Sequence, residues 1–198
     1  NPDASVGARD FTSELQAPKN FLMEKVFIPL ILGTAHEGRE TEKVARYVFK
    51  KIEERPDIET QFIDPREFNF SLNEDGRRDL PVWQEIVEKS DGFLIVSPEY
   101  NHGYPASLKF LLDQVRPVVY THRAVGIVSS GGPMGGARMI ENLLPVLREL
   151  GLVAIRTDLR VHEVKTWQPN PEFDERLTKS LDELVWMSRA LKTARQNS

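Results

Sequence analysis

Asp91-Gly92-Phe93-Leu94-Ile95-Val96-Ser97-Pro98 is the stretch on which the fold is read. Asp-Gly is a turn pair. The run Phe93–Ser97 behind it is apolar without alternation, as in a strand covered on both faces. Further on, Pro105 opens a helical pattern in which Leu108, Leu111, Leu112 and Val115 return to one face. A strand that feeds a helix is half of a crossover unit, and a strand buried on both sides needs helices on both sides.

The same alternation extends outward in both directions. Toward the N-terminus, Val26–Leu32 reads as a strand, and Thr41–Arg55 as a helix with Val44, Ala45, Val48, Phe49 and Ile52 inward. Ile58–Ile63 reads as a second strand, Asp64–Asp79 as a polar loop, and Leu80–Lys89 as a helix with Pro81 in its first turn. Toward the C-terminus come a strand at Ala124–Ser129 and a helix at Gly135–Leu150 with Ile140, Leu143, Leu144 and Leu147 inward. Pro145 should kink that helix and Gly151 should close it. Leu152–Val161 is a fifth strand, continuous or broken. Asn170 and Pro171 start a last helix whose stripe is Phe173, Leu177, Leu181, Leu184 and Leu191. Five such units with right-handed crossovers predict an α/β fold: a flavodoxin-like, doubly wound, five-stranded parallel sheet of order 2-1-3-4-5 with helices on both faces. Residues 25–198 form that domain, and 1–24 a polar arm.

Composition narrows the chemistry. The chain of 198 residues has 40% apolar and 28% charged residues and a net charge of −4, so a broad phosphate-backbone surface is not expected. It has no cysteine, which excludes disulfides, thiolate nucleophiles, cysteine zinc sites and iron–sulfur clusters. Redox chemistry would therefore fall to an organic cofactor. The apolar run Val26–Leu32 is too short to span a bilayer, and Asn1–Phe21 lacks an apolar signal-peptide core. The expectation is a cytoplasmic protein without nucleic-acid or membrane partners.

In the order 2-1-3-4-5 the loops after strands one, three and four lie side by side at the carboxyl edge, where such sheets bind ligands. The first loop is Gly33-Thr34-Ala35-His36-Glu37-Gly38-Arg39-Glu40-Thr41. It leads into a helix N-terminus, whose N–H groups and dipole favour an anion. Thr34 and Thr41 add hydroxyls, and His36 or Arg39 adds charge. The loop is neither a Walker loop nor a G-x-G-x-x-G fingerprint, and a solvated turn with Thr41 as plain N-cap also fits. The second loop, Ser97–Lys109, is held by two prolines and a glycine and places main-chain amides beside Tyr100 and Tyr104. A flat heteroaromatic ring needs such an arrangement, and a rigid turn with packed tyrosines is the plain alternative. The third, Ser129–Gly136, is rich in glycine, so its backbone can approach a ligand or simply flex.

Ser97–Lys109 resembles, almost without interruption, the signature segment of the NADPH-dependent FMN reductase family, which includes quinone, chromate and azo-dye reductases. Gly33–Val48 resembles that family's phosphate loop and first helix, and Ser130–Gly151 its third loop and helix. The resemblance implies FMN as cofactor, with Thr34, His36, Thr41 and Glu42 around the phosphate. It places Pro98, Glu99, Tyr100 and Asn101 along the isoalloxazine, and Gly131 and Gly132 on the ring's other side. It further implies NAD(P)H as co-substrate, with hydride passing through flavin N5 to a quinone, flavin or similar small acceptor. No side-chain acid, nucleophile or metal is called for. A homodimer or dimer of dimers is implied as well. The family's phosphate loop usually holds a serine, an arginine two residues on and a further serine, where this chain has Thr34, His36 and Thr41. Histidine carries charge only on the acid side of neutrality, so FMN binding should weaken at alkaline pH unless Arg39 takes that part. The alternatives are a non-enzymatic flavin carrier and a domain that has exchanged FMN for another phosphorylated ligand.

Overall fold

The computed structural model describes residues 24–68 and 80–197. The polar arm expected at 1–24 lies outside the described residues except for Glu24, as does the greater part of the Asp64–Asp79 loop.

The first apolar run forms two short strands, β1 (Val26–Phe27) and β2 (Leu30–Leu32), because Pro29 has no N–H for a ladder. Ile28 and Leu30 still donate to the carbonyls of Glu59 and Gln61, at 2.8 and 2.9 Å, so the two strands are one line of chain with a break. Helix α1 (Thr41–Glu53) follows, then β3 (Ile58–Glu59) and β4 (Phe62–Ile63), the expected second strand in two pieces. A 3-10 turn at Pro65–Glu67 precedes the undescribed segment. Beyond it come α2 (Pro81–Lys89), β5 (Gly92–Pro98), α3 (Ala106–Asp113) and a short α4 (Pro117–Tyr120) that the sequence pattern did not suggest. The chain ends with β6 (Arg123–Ser130), α5 (Ala137–Glu149), β7 (Leu152–Ala154), β8 (Leu159–Val161) and α6 (Pro171–Gln196).

The sheet runs β4-β2-β5-β6-β7, with β8 pairing β6 farther along and β1 pairing β3. All these pairings are parallel. With each broken strand counted as one line, the order is 2-1-3-4-5, as expected from the sequence. The central strands β5 and β6 are buried along nearly their whole length, which is why they carry no polar alternation.

Side chains alternate between two cores. On one face Leu30, Leu32, Leu94, Val96 and Val128 meet Val44 and Val48 of α1 and Leu177, Leu181 and Leu184 of α6. On the other, Ile31, Phe93, Ile95, Val125 and Ile127 meet Trp83 of α2, Leu108 and Leu111 of α3, and Met139, Leu143 and Leu147 of α5. The expected stripe of α5 needs one correction: Leu144 is exposed and Met139 is buried in its stead. Helix α5 continues past Pro145, which lies on its exposed side. Gly151, at φ +75°, follows the α5 C-cap residue Leu150 as anticipated. Among the described residues no helix is long and apolar enough to cross a membrane.

Candidate functional site

The parallel order brings the carboxyl ends of β2, β5 and β6 together. Gly33 N–H donates to Val96 O at 2.8 Å, and Glu99 N–H donates to Ser130 O at 2.9 Å. The first loop therefore starts against β5, and the second starts against β6.

The first two loops then meet. Thr34 Oγ1 and Tyr100 Oη lie 3.2 Å apart, and Thr34 Oγ1 also accepts from His36 N–H at 3.3 Å. The His36 ring stands edge-on to Tyr100 with centroids 6.4 Å apart. Ala35 N–H donates to Ser107 Oγ at 3.2 Å, tying the first loop to α3. The Thr34 and Tyr100 hydroxyls and the exposed His36 imidazole, whose Nδ1 is bonded to Glu37 O, thus meet at the entry to α1.

Arg39 behaves differently from the expectation of a free charge for a ligand. Its guanidinium is buried and makes four hydrogen bonds: to Thr34 O at 2.5 Å, to both oxygens of Asp64 at 2.9 and 2.5 Å, and to Glu42 Oε2 at 3.0 Å. It braces the loop from beneath. Burial works against the Asp64 carboxylate, but hydrogen bonds from Arg39 and Arg66 prevail and hold its pKa well below the carboxylate range. Glu42 is opposed by burial too, and its bonds to Arg39 and Arg46 lower it. Arg39, Arg46 and Arg66 against Glu42 and Asp64 make three positive charges and two negative. With Glu37, Glu40 and Lys43 of the same loop and helix start included, four positive charges meet four negative ones, so the preference for an anion rests on the N-terminus of α1 rather than on net charge.

Thr41 is the first residue of α1 rather than its N-cap, which is Glu40. Its hydroxyl meets Ser130 Oγ at 2.8 Å, joining α1 to the end of β6. In the second loop Pro98 closes β5, and Glu99 turns its carboxylate to the N-terminus of α5, where Arg138 N–H donates at 3.2 Å. A carboxylate suits the positive end of a helix. Tyr100 and Gly103 exchange two main-chain hydrogen bonds at 2.9 Å around Asn101 and His102, whose φ values are +49° and +67°. Positive φ at both central residues marks a tight hairpin of the I′ kind, where asparagine is at home and histidine is strained. Asn142 of α5 holds that hairpin by donating to His102 O at 2.8 Å.

The third loop folds back on β8. Gly131 donates to Val161 O, Gly132 O accepts from Gly135 and Glu163, and His162 Nδ1 lies 2.8 Å from Pro133 O. A Cβ at Gly132 would meet nothing within 4 Å, so its backbone borders open space. The N–H groups of Glu99 and Tyr100 are engaged within the protein. Those of Asn101 and Gly132 have no acceptor among the described residues.

All eleven expected site residues thus lie in or directly after these three loops. His36, Tyr100, Asn101 and Gly132 are exposed, while Thr34 is buried behind Tyr100, its hydroxyl 3.2 Å from Tyr100 Oη. Arg39, Thr41, Glu42 and Glu99 are turned to other parts of the protein. Sequence reading missed Ser107, Ser130, Asp64 and Asn142, which fasten the loops to one another. Ser107 and Ser130 stood inside quoted motifs, whereas Asp64 and Asn142 carried no local signal. Trp167 packs edge-on against Tyr47 and Phe173.

Residues 27–165 match the NADPH-dependent FMN reductase family. The NAD(P)H-dependent FMN reductase LOT6 of Saccharomyces cerevisiae is 27% identical over 148 residues, 65% of this chain and 76% of that protein. An FMN-dependent NADPH-azoreductase of Staphylococcus saprophyticus is 22% identical over 173 residues, 79% of this chain and 92% of that protein. In structure, the flavoenzyme NAD(P)H:(acceptor) oxidoreductase FerB of Paracoccus denitrificans aligns with a TM-score of 0.65 at 17% identity. That alignment covers 83% of this chain and 98% of the other, a likeness of fold.

Proposed function

The chain belongs to the NADPH-dependent FMN reductase family, and from that premise we propose that its three loops hold FMN and that it passes hydride from a nicotinamide to a small electron acceptor. It is an oxidoreductase with FMN as cofactor and NAD(P)H as co-substrate. The acceptor proposed is a quinone, a flavin or a similar flat molecule. Assembly as a homodimer or dimer of dimers and a cytoplasmic location belong to the same reading, and the mass in solution by light scattering tests the first of these.

One observation carries the assignment of the site: Thr34, His36 and Tyr100 converge at a helix-entering loop, while Asn101 and Gly132 leave N–H groups free beside it. Hydroxyls, an imidazole and a helix N-terminus suit a phosphate tail, and an exposed tyrosine with free N–H groups suits a flat ring with a polar edge. The residues fit the group. FMN, when bound, supplies the redox chemistry by taking up and releasing hydride. Thr34 would hold the phosphate through the hydroxyl that here meets Tyr100 Oη. Tyr100 and the hairpin behind it orient the ring, and Asn142 and Glu99 keep that hairpin and α5 in place. Arg39 acts as a positioning residue through Thr34 O.

Two measurements test this. Purified protein saturated with FMN should bleach near 450 nm on anaerobic addition of NADH or NADPH; bleaching only by dithionite would favour a flavin carrier instead. Thr34→Val keeps the shape of the side chain and removes its hydroxyl. Bonds to charged groups are worth roughly 1.5–3 kcal/mol, so FMN affinity measured by fluorescence quenching should fall about 10- to 150-fold. An unchanged affinity would remove Thr34 from the phosphate site.

A further inference from the structure

Beside the third loop lies a cavity of about 270 Å³ lined by none of the residues proposed for the flavin. Its lining includes Arg160 of β8, His162, Trp167, and Glu172 and Arg176 of α6. The third loop connects the two places. His162 Nδ1 is bonded to Pro133 O, and a Cβ on Gly135 would lie 3.0 Å from Arg160 Cβ and 3.1 Å from the His162 ring. One short loop thus touches the proposed flavin crevice at Gly132 and this cavity at Gly135.

The cavity joins two kinds of recognition. Arg160 and Arg176 are exposed, and neither has an ion-pair partner among the described residues. Glu172 is the one carboxylate in the lining, so two guanidiniums face one negative charge. Guanidinium forks favour phosphate oxygens. Trp167 is held edge-on between Tyr47 and Phe173, at 5.8 and 5.2 Å, a fixed aromatic wall. A phosphate fork beside an aromatic wall suits a nucleoside monophosphate, with the base against the ring. The volume lies just under the range of about 300–1,000 Å³ usual for ligand pockets, so one end of a dinucleotide fits and the whole does not.

We propose that this cavity takes the adenosine 2′-phosphate end of NADPH, with Arg160 and Arg176 on the phosphate and Trp167 beside the adenine. It would distinguish NADPH from NADH at a place separate from the flavin. The inference rests on the nicotinamide-dependent function proposed above, but the cavity can be probed without it.

Titration calorimetry on the whole protein should show 2′-AMP binding at least tenfold tighter than adenosine or inorganic phosphate. Arg160→Gln and Arg176→Gln should each lower that affinity about tenfold. In steady-state assays each should raise KM for NADPH by a similar factor and leave KM for NADH and the FMN affinity unchanged. Thermal melts equal to wild type confirm that the variants fold. Equal binding of adenosine and 2′-AMP would overturn the assignment, as would inorganic phosphate binding as tightly as 2′-AMP, or variants that leave NADPH unaffected. If 2′-AMP binds as described while FMN does not, the proposed function fails and the nucleotide cavity stands. If FMN is reduced normally and the variants change nothing, the cavity assignment fails and the function stands.

Discussion

Asp64→Ala is expected to lower folding stability by about 3–5 kcal/mol, toward the lower figure, because removing one partner strands a buried guanidinium. Arg39 and Asp64 have side chains only 1% and 5% exposed and are joined by two hydrogen bonds. Arg39 would keep Glu42 and the Thr34 carbonyl, which moderates the loss. Domains of this size are stable by roughly 5–15 kcal/mol, so urea unfolding should shift visibly. FMN affinity should fall with it, since the residue that anchors Thr34 O loses its own anchor. A second variant separates charge from packing. Arg39→Met with Asp64→Leu replaces the pair by apolar groups and should recover most of the stability, because no charge is then stranded. It should not recover FMN affinity, because Thr34 O still lacks its donor. Full recovery of both would show that Arg39 does not position the loop.

The same pair sets a pH dependence with a definite sign. The Asp64 carboxyl titrates in the folded protein well below its unfolded value of about 3.9. Its stabilisation is therefore complete above that value and is lost as pH falls from about 4 through the lower folded value. Asp64→Asn should start less stable at neutral pH and lose less than wild type between pH 5 and pH 2. A variant that loses as much as wild type would assign the acid sensitivity to other carboxylates.

Gly33→Val is expected to damage both stability and flavin binding. A Cβ at Gly33 would stand 2.3 Å from Ser97 Oγ and 2.4 Å from Ser97 Cβ, inside contact distance of a fully buried side chain on the central strand. Forcing methyl groups into such a place costs about 1–3 kcal/mol, and here neither backbone can retreat without breaking the bond from Gly33 N–H to Val96 O. Thr34 and Ala35 follow directly, so their contacts with Tyr100 and Ser107 would move as well. The milder Gly33→Ala permits a double-mutant cycle. Ser97→Gly deletes both clashing atoms, so the double variant should be more stable than the sum of the single effects by more than 0.5 kcal/mol. Strict additivity would mean that the clash is relieved elsewhere.

These two cases show where the sequence was readable. Phe93–Ser97 and Ala124–Ser129 announced central strands because burial on both faces removes polar alternation, a local property. Gly151 could be seen to follow a helix end because its backbone freedom is its own, whereas the break at Pro29 in the strand read as Val26–Leu32 appeared only in the structure. The three loops were legible as candidates because strand order follows from crossover rules. The partners of their side chains were not legible. Arg39 looked like a free charge because Asp64, far along the chain, comes within reach only once β4 pairs with β2. Thr41 looked like a cap, and its bond to Ser130 needs α1 seated against the end of β6. Leu144 and Met139 are both apolar, and their facing depends on how α5 is rolled on the sheet.

By itself, then, the sequence determined the alternation of strands and helices, the parallel order and the edge at which a ligand would sit, since period, turn residues and handedness are short-range properties. Tertiary structure alone decided which polar groups stay free for that ligand. A hydrogen bond or ion pair across 25 or 89 positions exists only when packing brings its two ends within 3 Å. That packing committed Arg39, Thr41 and Glu99 to the protein, set Thr34 behind Tyr100, and left His36, Tyr100, Asn101 and Gly132 facing outward.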